Sequence, residues 1–210
     1  LSVGLVNTVD ALLAIKELVY DKKIRTLQDF MPGTITDETR KMATSVSLFF
    51  GINHPEVIDL TNRVIDAAST PFKETGVKMG LVSPSDLRIG QKTPRTPDGR
   101  EDHEPLAHHL APNRGNFSLS ETFSFLSRIE AYRQAFNGST LEVTLTKSPA
   151  KNKDIQTIIW EGIRSYVYSL QINVLDIKEL EAALENPGQY PHLIVRVWGF
   201  STYFRDLPSE

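Results

Sequence analysis

The sequence predicts an α/β fold. Amphipathic segments with helical spacing alternate with short runs of β-branched residues, and turn residues separate them. Its 210 residues are enough chain to bury a core, as one domain or two small ones. No repeat, low-complexity tract or charge block interrupts the pattern.

The first element is a helix from Gly4 to Lys22. Leu5, Val9, Leu12, Ile15 and Val19 form a stripe, with Lys16, Glu17, Asp21 and Lys22 on the other side. A short element over Ile24 to Met31 stops at Pro32-Gly33. Thr36, with Thr39 nearby, caps a helix running through Lys41 to Leu48. Pro55 suits the first turn of the next helix, with Asn53 or His54 before it. That helix buries Val57, Leu60, Val64 and Ala67 or Ala68. Val77 to Leu87 reads as a strand, and Pro97-Asp98-Gly99 as a turn.

The second half continues the alternation. Ser118 or Ser120 caps a helix over Leu119 to Ala135, with Phe123, Leu126, Ile129 and Tyr132 as its stripe. Asn137-Gly138 turns the chain into a strand where Leu141, Val143 and Leu145 alternate with polar residues. Asp154 to Tyr166 is helical, with Ile155, Ile158, Ile159 and Ile163 apolar. A strand over Tyr168 to Val174 and a helix over Ile177 to Leu184 follow, and Pro187 ends that helix. A closing strand runs to about Val197, where Gly199 sits between Trp198 and Phe200. Taken alone, Gly199 is a turn or bulge glycine.

Composition narrows the function. The formal net charge of −3 gives no nucleic-acid or membrane-surface footprint. No apolar run approaches the roughly 18 residues that span a bilayer, so a cytoplasmic protein is expected. The apolar N-terminus lacks a basic region and is broken by Asn7 and Asp10, unlike a signal peptide. It has no initiator Met, which is consistent with trimming. There is no cysteine, which excludes disulfides and thiolate metal sites within these residues. His103, His108 and His109 lie near Asp102 and Glu104. Adjacent histidines in an extended loop point apart, so no metal site is expected there, while an acid or base role stays open. His54, beside a helix start, reads as a capping residue.

Two sets of motifs carry a resemblance. The first, in order, is Gln171-Ile-Asn173-Val174, Leu180 to Ala183, Asn186-Pro187-Gly188-Gln189-Tyr190, Leu193 to Phe200 with its core Arg196-Val-Trp-Gly-Phe200, and Phe204 to Leu207. The second is Gly4-Leu-Val-Asn7-Thr-Val-Asp10-Ala-Leu-Leu-Ala-Ile-Lys16, Phe50-Gly51 with Val57, and Thr96-Pro-Asp-Gly-Arg100 followed by Pro105-Leu106 and Pro112. Together they resemble the C-terminal portion of the glycyl radical enzymes, the pyruvate formate-lyase-like family. Three positions depart from its pattern. Trp198 stands where a small residue is usual, Gly188 where a Glu is, and Tyr166-Val167 where a Gly-Gly pair is.

The resemblance implies part of a ten-stranded α/β barrel over residues 1–115 and a glycyl radical domain over 116–210. It makes Gly199 the radical residue, supported by Arg196, Trp198 and Phe200. No cofactor would be bound permanently: a radical S-adenosylmethionine [4Fe-4S] activating enzyme would install the radical. Family members cleave C–C, C–O, C–N or C–S bonds or add carbon radicals to fumarate, through a thiyl radical on a cysteine. With no cysteine here, the expected partner is a larger cysteine-bearing subunit acting on a small-molecule substrate. The alternatives are one piece of a longer polypeptide, a spare part replacing an oxygen-damaged glycyl domain, and a structural subunit without a radical.

Overall fold

A computed structural model describes residues 4–77, 86–130, 140–146, 152–165, 167–197 and 200–207. Helices α1 (Leu5–Ile15), α2 (Asp37–Thr44), α3 (Pro55–Lys73), α4 (Asp86–Gly90) and α5 (Leu119–Ser127) precede β1 (Thr140–Thr146). Then come α6 (Asn152–Arg164), β2 (Ser169–Leu175), α7 (Ile177–Glu185), β3 (Ile194–Val197) and β4 (Phe200–Tyr203). Strand β1 pairs with β2, and β3 with β4. The chain divides into two compact units, Leu1–Leu141 with Ile159–Leu170, and Glu142–Ile158 with Gln171–Glu210.

The first unit is built around α1. Gly4, at φ 81°, starts the helix from the left-handed region, which glycine enters without strain. Beyond Ile15 the helix widens into a π-helical stretch, Lys16–Asp21. The stripe expected along α1 is rotated by about one residue. Leu5, Val6, Val9, Leu13 and Ala14 are buried, whereas Leu12 is exposed. The cause is polar: Asn7 and Asp10 also point inward, where they find partners.

Local chemistry sets the other boundaries. Thr36 caps α2, its hydroxyl accepting from the Thr39 N–H at 3.2 Å. This helix stops at Thr44 rather than Leu48. The Thr44 and Ser45 hydroxyls both donate to the Lys41 carbonyl, taking the acceptor the next turn would use. His54 caps α3, its Nδ1 accepting from the Glu56 N–H, and Pro55 occupies the first turn. The buried face of α3 is Val57, Ile58, Thr61, Ile65 and Ser69, one position on from the expected set after Val57. Most of the strand expected over Val77–Leu87 lies outside the described residues, and its last two residues begin α4. A capping box joins Ser118 and Glu121 at the start of α5. It ends at Ser127, short of the expected Ala135: the Arg128 N–H donates to the Phe125 carbonyl at 3.1 Å, closing the last turn, and residues 131–135 of the expected helix lie outside the described residues. Phe50 packs edge-to-face on Phe125, with ring centroids 4.9 Å apart, closing this core.

Helix α6 does not bury the isoleucine face its sequence suggests. Ile163 is 59% exposed and Trp160 61%. Gly162 is the buried residue in the first unit's part of this helix; a Cβ there would lie 3.0 Å from Leu170 and 3.6 Å from Phe123. In the second unit, Asp176 caps α7, accepting from the Glu179 N–H at 3.2 Å. A strand absent from the sequence reading, β4, follows position 199.

Candidate functional site

The expected radical strand is one arm of a hairpin in the second unit. Strands β3 and β4 are antiparallel, pairing Ile194 with Tyr203, Val195 with Thr202, Arg196 with Ser201 and Val197 with Phe200. Val195 is buried and Arg196 exposed, as strand alternation requires. The Phe204 N–H donates to the Leu193 carbonyl at 2.8 Å, continuing the pairing past the last strand residues. The 3₁₀ turn Pro187–Gln189 leads in, with the Leu193 N–H donating to the Tyr190 carbonyl at 3.2 Å. Gly188 has open space where a Cβ would stand. Trp198 and Gly199 lie outside the described residues. Arg196 and Phe200 fall on the strands at either side of them, opposite Ser201 and Val197.

The Gln-x-Asn motif lies on β2. Both the Gln171 amide, at 3.1 Å, and the Asn173 amide donate to the Glu142 carboxylate on β1. Alternate residues of a strand share a face, so this spacing aims both amides at one acceptor.

In the first unit, the three other motifs meet in a buried polar cluster that the sequence reading missed. The Asn7 Nδ2 donates to Asp98 Oδ2 at 2.7 Å, while its Oδ1 accepts from the Ala107 N–H at 2.8 Å. Asp10 Oδ1 accepts from the Phe50 N–H at 2.6 Å, and its Oδ2 lies 3.4 Å from Arg114 Nε. Arg114 donates to the Ala43 carbonyl at 2.9 Å and stacks over the Phe49 ring at 5.5 Å. Burial pushes the Asp10 carboxyl up to about 6, against the pull of Arg114. The available signal was two polar residues three apart on the apolar side of a helix.

Arg100 ties the Thr93–Glu104 loop together. Its Nε donates to Thr96 Oγ1, and its terminal nitrogens to the carbonyls of Thr93, Pro94, Glu101 and Glu104. Arg95 pairs with Glu101, and this hydrogen bond holds the Glu101 carboxyl below the usual range. A cavity of about 280 Å³ opens between α1 and this loop, lined by Asn7, Thr8, Leu12, Thr96, Pro97 and Leu106 among others. His103 Nδ1 lies 2.7 Å from the Gln91 carbonyl oxygen. Contrary to the expectation that they point apart, the rings of His108 and His109 pack with centroids 3.9 Å apart. A positive φ of 50° at His109 turns the chain so that neighbouring side chains converge.

Comparison with known proteins covers nearly the whole chain. Residues 108–205 match the family model described as glycine radical. The chain is 26% identical to isethionate sulfite-lyase of Bilophila wadsworthia, over 99% of its length and 27% of that protein's. It is 25% identical to the probable dehydratase YbiW of Escherichia coli, over 100% of its length and 29% of that protein's. Among solved structures, the B12-independent glycerol dehydratase of Clostridium butyricum aligns with TM-score 0.78 and 25% identity, over 98% of this chain and 28% of that one. A glycyl radical enzyme from Archaeoglobus fulgidus aligns with TM-score 0.77 and 21% identity, over 99% of this chain and 28% of that one. The chain thus spans a little over a quarter of the relatives it matches.

Proposed function

We propose, from the premise that residues 108–205 are a glycine radical domain of the glycyl radical enzyme family, that Gly199 stores a radical for a reaction completed by a cysteine outside these 210 residues. The carrying observation is the family match, which spans the Arg196–Phe200 pentapeptide. Strands β3 and β4 frame its centre.

The chemistry explains the choice of residue. Removing one hydrogen atom from a glycine α-carbon leaves a radical centre between an amide nitrogen and a carbonyl. Delocalisation into both stabilises it, and planarity is easiest without a side chain. A radical S-adenosylmethionine activating enzyme, which carries its own [4Fe-4S] cluster, takes that hydrogen atom. The Gly199 radical then takes a hydrogen atom from a cysteine thiol, restoring glycine and leaving a thiyl radical to attack the substrate. The chain itself has no thiol. The acceptor belongs to a larger cysteine-bearing partner subunit, which also supplies most of the substrate pocket. The residues before 108 complete that partner's barrel, and 108–205 act as the glycyl radical domain. Arg196, Trp198 and Phe200 position and shield the radical residue.

The relatives' names point to lyase or dehydratase chemistry on a small molecule. The setting is anaerobic, because oxygen cleaves a glycyl radical, and cytoplasmic, as expected from the sequence. A spare-part role is less well supported. The similarity extends over nearly the whole chain, beyond the matched radical domain. The test is electron paramagnetic resonance on the anaerobic complex of this chain with its partner and activating enzyme. A glycine-type doublet is expected, absent in Gly199→Ala together with turnover. Full turnover in Gly199→Ala would refute the assignment and leave a structural subunit.

A further inference from the structure

Helix α1 has no charged outer face. Its one ionisable residue, Asp10, is buried. Leu5, Val6, Val9, Leu13 and Ala14 fill the core. The other side of the helix leaves Thr8 and Leu12 exposed, with Ala11 and Ile15 half-buried between them and the core. Leu12 is 40% exposed. Helix α3 is the contrast, since its outer side carries the exposed ion pair of Asp59 and Arg63. A helix at the surface of a finished fold turns charged and polar residues outward, whereas one that is apolar all round is built to be covered on both sides.

The cavity of about 280 Å³ lies on this outer side, between Thr8, Ala11 and Leu12 of α1 and Thr96, Pro97 and Leu106. None of the residues lining it is charged. Its polar side chains are turned to the chain itself. The Thr8 hydroxyl donates to the Gly4 carbonyl at 2.9 Å, the Thr96 hydroxyl accepts from Arg100 Nε at 3.1 Å, and Asn7 bonds Asp98 and the Ala107 N–H. What is left is an apolar seat. An apolar cavity of about 150 Å³ holds a benzene ring, so this one takes an aromatic side chain together with an aliphatic neighbour.

We infer that this groove docks the larger cysteine-bearing subunit, which seats an apolar side chain between α1 and the Thr96–Pro97 turn. The inference rests on the role proposed above. The glycerol dehydratase and the Archaeoglobus enzyme each match this chain over 28% of their own length. The greater part of such a fold therefore lies outside these residues, and the outer face of α1 is where it makes contact. A second copy of this chain would cover Leu12 but bring none of that missing part.

The deciding experiment places the photo-crosslinking residue p-benzoylphenylalanine at position 12 of the full chain. The purified chain is irradiated in anaerobic extract of its source cells, and the linked peptide is sequenced by mass spectrometry. A peptide from a cysteine-bearing glycyl radical enzyme chain is expected. Leu12→Glu should weaken assembly with that chain by about a hundredfold or more, because it buries an unpaired charge, while Leu12→Met keeps it. The thermal unfolding of the chain alone should not fall in Leu12→Glu, since position 12 is open to solvent there. If the crosslinker variant does not fold, hydroxyl-radical footprinting of the wild type decides, and oxidation of Leu12 should fall several-fold in the complex. A link to a second copy or to a protein of another kind, or assembly that Leu12→Glu leaves unchanged, would overturn the inference. A cysteine-bearing chain that copurifies with the wild type without contact at Leu12 would overturn the groove and leave the proposed role standing. If no such chain copurifies, both fall.

Discussion

Arg100 shows how much of the loop's order hangs on one side chain. Its guanidinium reaches five acceptors within a single loop, four of them main-chain carbonyls, and the residue is buried. Lysine presents three donors from one point and cannot span that fork. Arg100→Lys is expected to cost about 3 kcal/mol, since it strands buried carbonyls. Urea denaturation of the chain measures this, and a loss under half that size would mean the loop reorganises without the fork. Gly99, beside it, has φ 92°, and a Cβ would lie 2.5 Å from Thr44 Cγ2 and 3.0 Å from the Arg40 carbonyl oxygen. Gly99→Ala should cost about 2 kcal/mol or more, combining left-handed strain with a backbone clash. The Pro-Asp-Gly turn was legible from the sequence. The burial of Asp98 and Arg100 was not, because turn chemistry says nothing of which side the turn presents to the core.

Elements were more legible at their starts than along their faces. Thr36, His54, Ser118 and Asp176 are all observed caps, and the first three stand where the sequence suggested a helix start. Ser118→Ala removes one half of a reciprocal capping box and should destabilise the first unit by about 1 kcal/mol. Thermal unfolding checks this, and Ser118→Asp, which restores an acceptor, should recover most of the loss. Faces were harder. On α1, Asn7 and Asp10 displaced the expected stripe by one residue because each has a partner far along the chain, which spacing cannot reveal. On α6, the isoleucines gave a helical period, yet Gly162 is buried and Ile163 exposed. A close approach to Leu170 and Phe123 selects the residue without a side chain. The strand ending at Val197 was legible from alternation. Its partner β4 was not, because Phe200–Tyr203 is too short for alternation to register.

At the scale of the whole molecule, family motifs carried what periodicity could not. Neither composition nor spacing marks Gly199 out among the glycines of the chain. It is proposed as the radical residue on the resemblance carried by the ordered set from Gln171 to Leu207, and residues 108–205 match a glycine radical family. These 210 residues contain no cysteine, so in the proposed role the thiyl step lies outside them. That proposed role predicts that turnover needs a cysteine-bearing partner and the activating enzyme, and that this chain alone shows none. The most direct measurement is mass spectrometry of the anaerobically activated complex after brief exposure to air. Backbone cleavage of this chain at Gly199 is expected, with Gly199→Ala left intact. An intact wild-type chain, alongside activating enzyme proven on another substrate, would contradict the radical assignment.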